Sequence, residues 1–218
     1  MSDCCNPSAY GDYFDEKEAR RNLRAYDKKG LDKMARRIVD YLASRGMQGR
    51  SVVEVGGGVG ALQVELLKVG AEDAINVELS AGYEGVAAEL LDREGLGDKV
   101  ERRIGDFTEL AAAMEADDVV MNRVICCYPD MERLMDAATS TTRRFLAATF
   151  PTDGVVARSA FALANAYSRI RRVDFRAYVH PPEAILEAAG RAGFDVAFHE
   201  RDLIWHGVVL ERTASRAS

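Results

Sequence analysis

Apolar and polar positions along the chain follow two periods that alternate. Residues 16–29 and 31–45 repeat at helical spacing, with Leu31, Met34, Ile38 and Leu42 on one face and Gly30 between the two segments. From Val52 onward, short β-branched runs at 52–55, 74–79, 100–104, 119–125 and 144–150 predict strands. Helical patterns at 62–68, 84–93 and 131–138 separate them. This order predicts an α/β fold in which a parallel sheet carries helices on both faces. A further helical stretch, 155–172, leads through Phe175-Arg176-Ala177-Tyr178-Val179 to His180-Pro181-Pro182. Two prolines suit a helix start, so 183–192 reads as the last large helix, ended by Gly193. Residues 195–198 and 203–210 read as a closing hairpin.

With 218 residues and 48% hydrophobic content the chain can bury one substantial core, and no Pro/Gly/Ser-rich linker divides it. One domain, 1–218, is expected: an N-terminal arm and lid helices (1–48), a cofactor-binding core (49–150), a cap segment (151–180), and a C-terminal helix and hairpin (181–218). The net charge of -6 offers no global attraction for nucleic acid, which favours a small-molecule partner. Residues 1–13 lack an apolar signal core and no later run is long enough to cross a bilayer, so a cytoplasmic location and no membrane span are expected. The four cysteines form two adjacent pairs, Cys4-Cys5 and Cys126-Cys127, which is neither a disulfide framework nor a CxxC knuckle.

The chemistry enters at Val52-Val53-Glu54-Val55-Gly56-Gly57-Gly58-Val59-Gly60-Ala61, a buried strand running into a glycine loop and then a helix. Read as Gly56-x-Gly58-x-x-Ala61, it fits a dinucleotide fingerprint and a nicotinamide oxidoreductase. Read as Glu54-x-Gly56-x-Gly58-x-Gly60, it resembles the first motif of class I S-adenosylmethionine (SAM) methyltransferases, whose strand-end acid faces the cationic methionine end of the cofactor. A carboxylate there repels a pyrophosphate and suits an ammonium and a sulfonium, which favours the methyltransferase reading.

That resemblance implies a Rossmann-like, seven-stranded, mostly parallel sheet closed by an antiparallel hairpin, with SAM as cofactor and S-adenosylhomocysteine (SAH) as product. It also implies roles at successive strand ends. Glu78 would accept from ribose hydroxyls, Leu79 and Phe107 would flank the adenine, Asp106 would accept from its amino group, and Asn122 would meet the methionine portion. Each acid has a purely structural alternative: an ion pair of Glu54 with Arg50 or Arg103, of Glu78 with a lysine, or an N-cap at Asp106.

Over nearly the whole chain the layout is similar to the magnesium-protoporphyrin IX O-methyltransferase family. The matching segments are Tyr13-Phe14 ahead of the lid helices, Arg123-Val124-Ile125-Cys126-Cys127-Tyr128-Pro129, Phe150-Pro151, and Arg176-Ala177-Tyr178-Val179-His180. Where that family has His before Tyr-Pro, this chain has Cys127. The resemblance implies transfer of a methyl group to a carboxylate or hydroxyl oxygen of a small molecule, with Tyr13, Cys127, Tyr128 and His180 lining the acceptor site.

Two alternatives remain open. Cys4, Cys5, Cys126 and Cys127 could gather as thiolates around a soft metal or metalloid, making the acceptor a thiol or thiol-bound metalloid. The chain could also be a SAM- or metal-binding sensor without turnover. Arg158, Arg169, Arg171, Arg172 and Arg176 crowd the cap segment and suit either an anionic acceptor or a solvated face. His199 and His206 read as structural, and Trp205 as core or interface.

Overall fold

Strand β1 (Ser51–Val55) alternates its side chains between two cores. Val53 and Val55 join one apolar cluster, Val52 the other, as period-two geometry requires. A computed structural model describes residues 13–173 and 175–213. Its sheet runs in the order β3-β2-β1-β4-β5-β7-β6. The remaining strands are β2 (Asp73–Glu78), β3 (Val100–Ile104), β4 (Ala116–Asn122), β5 (Thr142–Pro151), β6 (Phe194–Arg201) and β7 (Trp205–Arg212). Strands β1 to β5 pair in parallel, and β7 is antiparallel to both β5 and β6.

Helices cover both faces. On one, α5 (Phe107–Leu110), α6 (Met131–Thr141) and α8 (Pro182–Arg191) bury Phe107, Leu134, Met135, Ile185 and Ala188 against Val53, Val119 and Leu146. On the other, α2 (Lys33–Ser44) and α3 (Ala61–Lys68) bury Ile38, Leu42, Leu62 and Leu66 against Val52, Val120 and Phe145. A third cluster joins α1 (Glu16–Lys29) to α4 (Glu84–Glu94) through Ala19, Tyr83, Val86 and Leu90. Helix α7 (Val155–Ile170) buries little of its own surface.

The predicted elements are all present, the short helix Phe107–Leu110 is an addition, and several bounds move: the hairpin strands run Phe194–Arg201 and Trp205–Arg212 rather than 195–198 and 203–210. The fourth strand ends at Asn122 rather than 125, because Arg123 turns the chain at φ 61° and Ile125–Cys127 is a 3-10 turn. Ile125 and Cys126 are buried in that turn, so the apolar run continues where the strand does not. The second helix begins at Lys33, because Asp32 caps it by accepting from the Met34 and Ala35 N–H groups.

Candidate active site

Strand order reverses between β1 and β4, and α/β sheets open a crevice at such a point beyond the carboxyl ends of the strands. A cavity of about 560 Å³ lies there. Its floor is the loop Gly56-Gly57-Gly58-Val59, its walls come from the ends of β2, β3 and β4, and α1 closes it from above with Asn22, Ala25, Tyr26 and Lys29.

The loop is shaped by its glycines. Gly56, Gly58 and Gly60 have φ of 60°, 56° and 83°, in the left-handed region that side chains disfavour. Their N–H groups are all used within the protein. Gly56 donates to the Val77 carbonyl at 2.7 Å, Gly58 to Glu78 Oε2 at 2.9 Å, and Gly60 to the Gly57 carbonyl at 2.8 Å. A Cβ on Gly57 would lie 2.2 Å from Asn76 Nδ2 and 2.6 Å from Glu54 Cδ, so the loop rests directly on those side chains.

Glu54 therefore departs from expectation. Its carboxylate does not line the cavity but lies under the loop, where it accepts from the Gln63 N–H at 3.2 Å and from Asn76 Nδ2 at 3.4 Å. The reason is strand alternation: Glu54 shares the α3 face with Val52. Burial pushes its carboxyl up to about 8, so the loop rests on a group that carries a proton at neutral pH. Neither Arg50 nor Arg103 pairs with it; they bind Asp117 and Glu101.

Glu78, in contrast, is at the cavity wall. Its oxygens accept from the Gly58 and Ser80 N–H groups at 2.9 and 3.0 Å. Burial raises its carboxyl from the ordinary range despite backbone hydrogen bonds from Ser80, Gly58 and Leu79. Leu79 and Phe107 line the adjoining wall. Asp106 lines it too and is the N-cap of α5, the structural alternative that its position offered. It accepts from the Thr108 N–H at 2.9 Å and, at Oδ2, from the Tyr128 hydroxyl at 2.9 Å.

Of the four acceptor-side candidates, two line the cavity and two lie outside its lining. The Tyr128 ring is in the lining, but its hydroxyl is engaged by Asp106 and Thr108. Cys127 is also in the lining. Its thiol donates to the Arg123 carbonyl at 3.4 Å, and the hydrogen bond with Cys126 together with burial pushes it well above the ordinary thiol range. His180 is outside the lining, with Nε2 at 2.9 Å from the Tyr128 carbonyl and its ring stacked on Tyr178. Tyr13 is likewise outside, stacked on Phe175 at 4.5 Å. Cys4 and Cys5 lie outside the described residues, and so does any contact of theirs with Cys126 and Cys127. None of Arg158, Arg169, Arg171, Arg172 and Arg176 lines the cavity.

Several lining residues carry no local sequence signal. Tyr83 packs under Gly58 and receives a hydrogen bond from Asn22 at 3.0 Å, which ties α1 to the loop. The Phe14 carbonyl accepts from the Ser80 hydroxyl at 2.6 Å, holding the arm at the exit of β2. Asn122 and Arg123 both reach Asp32, at 3.3 and 3.4 Å, and the Arg123 guanidinium lies 4.7 Å over the Trp205 ring. Asp32 thus joins the lid helices to the β4 exit. A helical pattern announces α1 and α2 but not which neighbour they will cover.

No protein-family model matches the chain, and no curated protein matches it by sequence. Solved structures do. The magnesium protoporphyrin IX methyltransferase of Synechocystis PCC 6803 with bound SAH superposes with a TM-score of 0.75 at 19% identity, covering 95% of this chain and 99% of that one. The same protein with bound SAM gives 0.73 at 18%, covering 98% and 100%. An O-methyltransferase family protein from Burkholderia thailandensis gives 0.68 at 18%, covering 93% of this chain and 64% of that one. At this identity the likeness speaks for the fold. The chain has the class I methyltransferase fold, a seven-stranded sheet with one antiparallel strand and helices on both faces.

Proposed function

We propose that the protein is a SAM-dependent methyltransferase whose acceptor is a small molecule bearing a carboxylate or hydroxyl oxygen. The observation that carries the cofactor assignment is the fate of the loop N–H groups. A dinucleotide loop offers such groups to a pyrophosphate, whereas here the Gly56, Gly58 and Gly60 N–H groups are all bonded internally. The Gly58 N–H in particular points at the carboxylate of Glu78, which would receive ribose hydroxyls. Glu78 does not take over the discriminating part expected of Glu54, because an acid at the end of the second strand serves the ribose in both cofactor classes; the internally bonded loop N–H groups are what favour SAM.

The residues present fit this cofactor. Glu78 would hold the ribose, Leu79 and Phe107 the faces of the adenine, Asp106 its amino group, and the Asn122–Arg123 backbone the methionine portion. When bound, SAM supplies a sulfonium methyl open to in-line displacement. The chain's own contribution is to position and dehydrate. Tyr128, His180 and Cys127 are each engaged in hydrogen bonds that hold the wall, and the Cys127 thiol keeps its proton at neutral pH. None of the three is poised as a base. An acceptor already ionised at neutral pH needs none, which favours a carboxylate over a hydroxyl, and the Lys29 ammonium in the lining suits it. The same protonated thiol disfavours metalloid capture.

The test has two parts. Calorimetry should show SAH binding that excess NADH does not compete away; competition by NADH would overturn the cofactor assignment. Label transferred from methyl-labelled SAM into a small-molecule extract should be released by alkali as methanol. An alkali-stable product would refute the carboxylate reading, and no transfer to any extract would refute turnover.

A further inference from the structure

We propose that α7 docks the protein on the surface of an anionic lipid bilayer. This helix is turned inside out relative to the others. Its buried residues are the small Ala157 and Ser168, whereas Val155, Leu163 and Ile170 are 81%, 72% and 80% exposed, joined by Val156 and Tyr167. At about 100° per residue these five fall within roughly one third of the circumference, opposite Ala157 and Ser168. Leu203, also exposed, lies on a turn tied to the start of α7: its carbonyl accepts from the Thr152 hydroxyl.

Charge selects the occupant. Arg158 and Arg169 border the apolar arc on one side and Arg171 on the other, and residues 155–173 contain four arginines and no acid in a chain of net charge -6. The arc ends at a depression of about 300 Å³ between α1 and the end of α7, where Lys17, Arg21, Arg24 and Arg171 outnumber Asp15 and Glu18. A contiguous apolar patch rimmed by cations is the pattern of a helix lying in the headgroup region, with its apolar side chains in the acyl boundary and its arginines at the phosphates. At 16 residues α7 is too short to span, and no helix among the described residues is long and apolar enough to cross a membrane. None of the residues invoked lines the main cavity, so the inference stands apart from the cofactor assignment.

The experiment is vesicle co-sedimentation of the full chain, with SAH affinity and melting temperature as controls for folding. Wild type should pellet with vesicles of equal parts phosphatidylcholine and phosphatidylglycerol, pellet little with phosphatidylcholine alone, and lose binding as salt rises. Leu163→Glu with Ile170→Glu should lower the bound fraction about tenfold or more, since it places two charges in the apolar arc. Arg169→Glu with Arg171→Glu should abolish the preference for the anionic lipid. Absence of wild-type pelleting, equal pelleting with both vesicle types, or unchanged binding by the first double variant overturns the proposal. So does a wild-type dimer in light scattering that this variant converts to monomer, because the arc would then be covered by a second copy.

Discussion

Gly57 occupies a position that the motif leaves open, yet the structure leaves it no space. Its backbone lies outside the left-handed region, so Gly57→Ala meets no intrinsic strain and any cost is steric. The new Cβ would lie 2.2 Å from Asn76 Nδ2 and 2.6 Å from Glu54 Cδ, with Asn76 0% and Glu54 2% exposed. Neither side chain can swing into solvent. Relief must come from backbone shifts, at about 1–3 kcal/mol for an overpacked site. It also disturbs the buried bonds of Asn76 to Gln63 (3.0 Å) and of Glu54 to the Gln63 N–H (3.2 Å), worth about 1 kcal/mol each. The sum is about 3–5 kcal/mol, which for a domain of this size is a drop of about 6–20 °C in melting temperature. Calorimetric melts of Gly57→Ala would check it. Gly85→Ala is the control, because nothing lies within 4 Å of that Cβ in helix α4 and the substitution should stabilise by about 0.5–1 kcal/mol. Introducing Asn76→Ala should make Gly57→Ala less damaging, with a coupling of about 1 kcal/mol or more. A melt within a degree of wild type, or strictly additive effects of the two substitutions, would refute the reasoning.

Glu78→Gln sets an NH₂ donor against either the Gly58 or the Ser80 N–H, so SAH affinity should fall about tenfold or more in a calorimetric titration. Because burial raises the Glu54 carboxyl to about 8 from 4.5, the folded state favours the protonated acid; its contribution is full below pH 4.5 and is lost as pH rises to about 8. Glu54→Gln should remove that slope from stability measured against pH. His206 has the opposite sign: burial and then His199, 2.7 Å away, lower its value, so its contribution is present above the ordinary histidine range and is lost as the solution is acidified. His206→Phe should flatten the acid limb of the same curve. Arg144→Leu would strand the fully buried Asp118 that it binds at 2.6 Å, at a cost of about 3–5 kcal/mol in denaturant melts, and Asp118→Asn should recover part of it.

Local patterns settled the architecture. Alternating apolar runs gave each strand and every helix but the short Phe107–Leu110, and Val100–Ile104 coincides with its predicted bounds because turn residues flank it. The glycines at 56, 58 and 60 were legible because a left-handed backbone and a close approach leave few other residues. The acids at 78 and 106 were legible because strand ends face the crevice. The burial of Glu54 was also within reach of the sequence, since period two places it with Val52 on the helix-covered face. A motif read as a string of letters hides that geometry.

Long-range packing decided the rest. The pairing of Asn22 with Tyr83, of Ser80 with Phe14, and of Asp32 with Asn122 and Arg123 joins residues 61 to 91 positions apart, and no periodicity reports such distances. The same holds for the hydroxyl of Tyr128 and the imidazole of His180, which the sequence offers as reactive groups and the fold spends on Asp106 and on a backbone carbonyl. It also decided which face of α7 met the protein. Sequence alone determines how a segment will bend and which of its sides is apolar, because those are properties of neighbours along the chain. Which surface that side meets, and whether a polar group is left available for chemistry, depends on what the other elements bring to it.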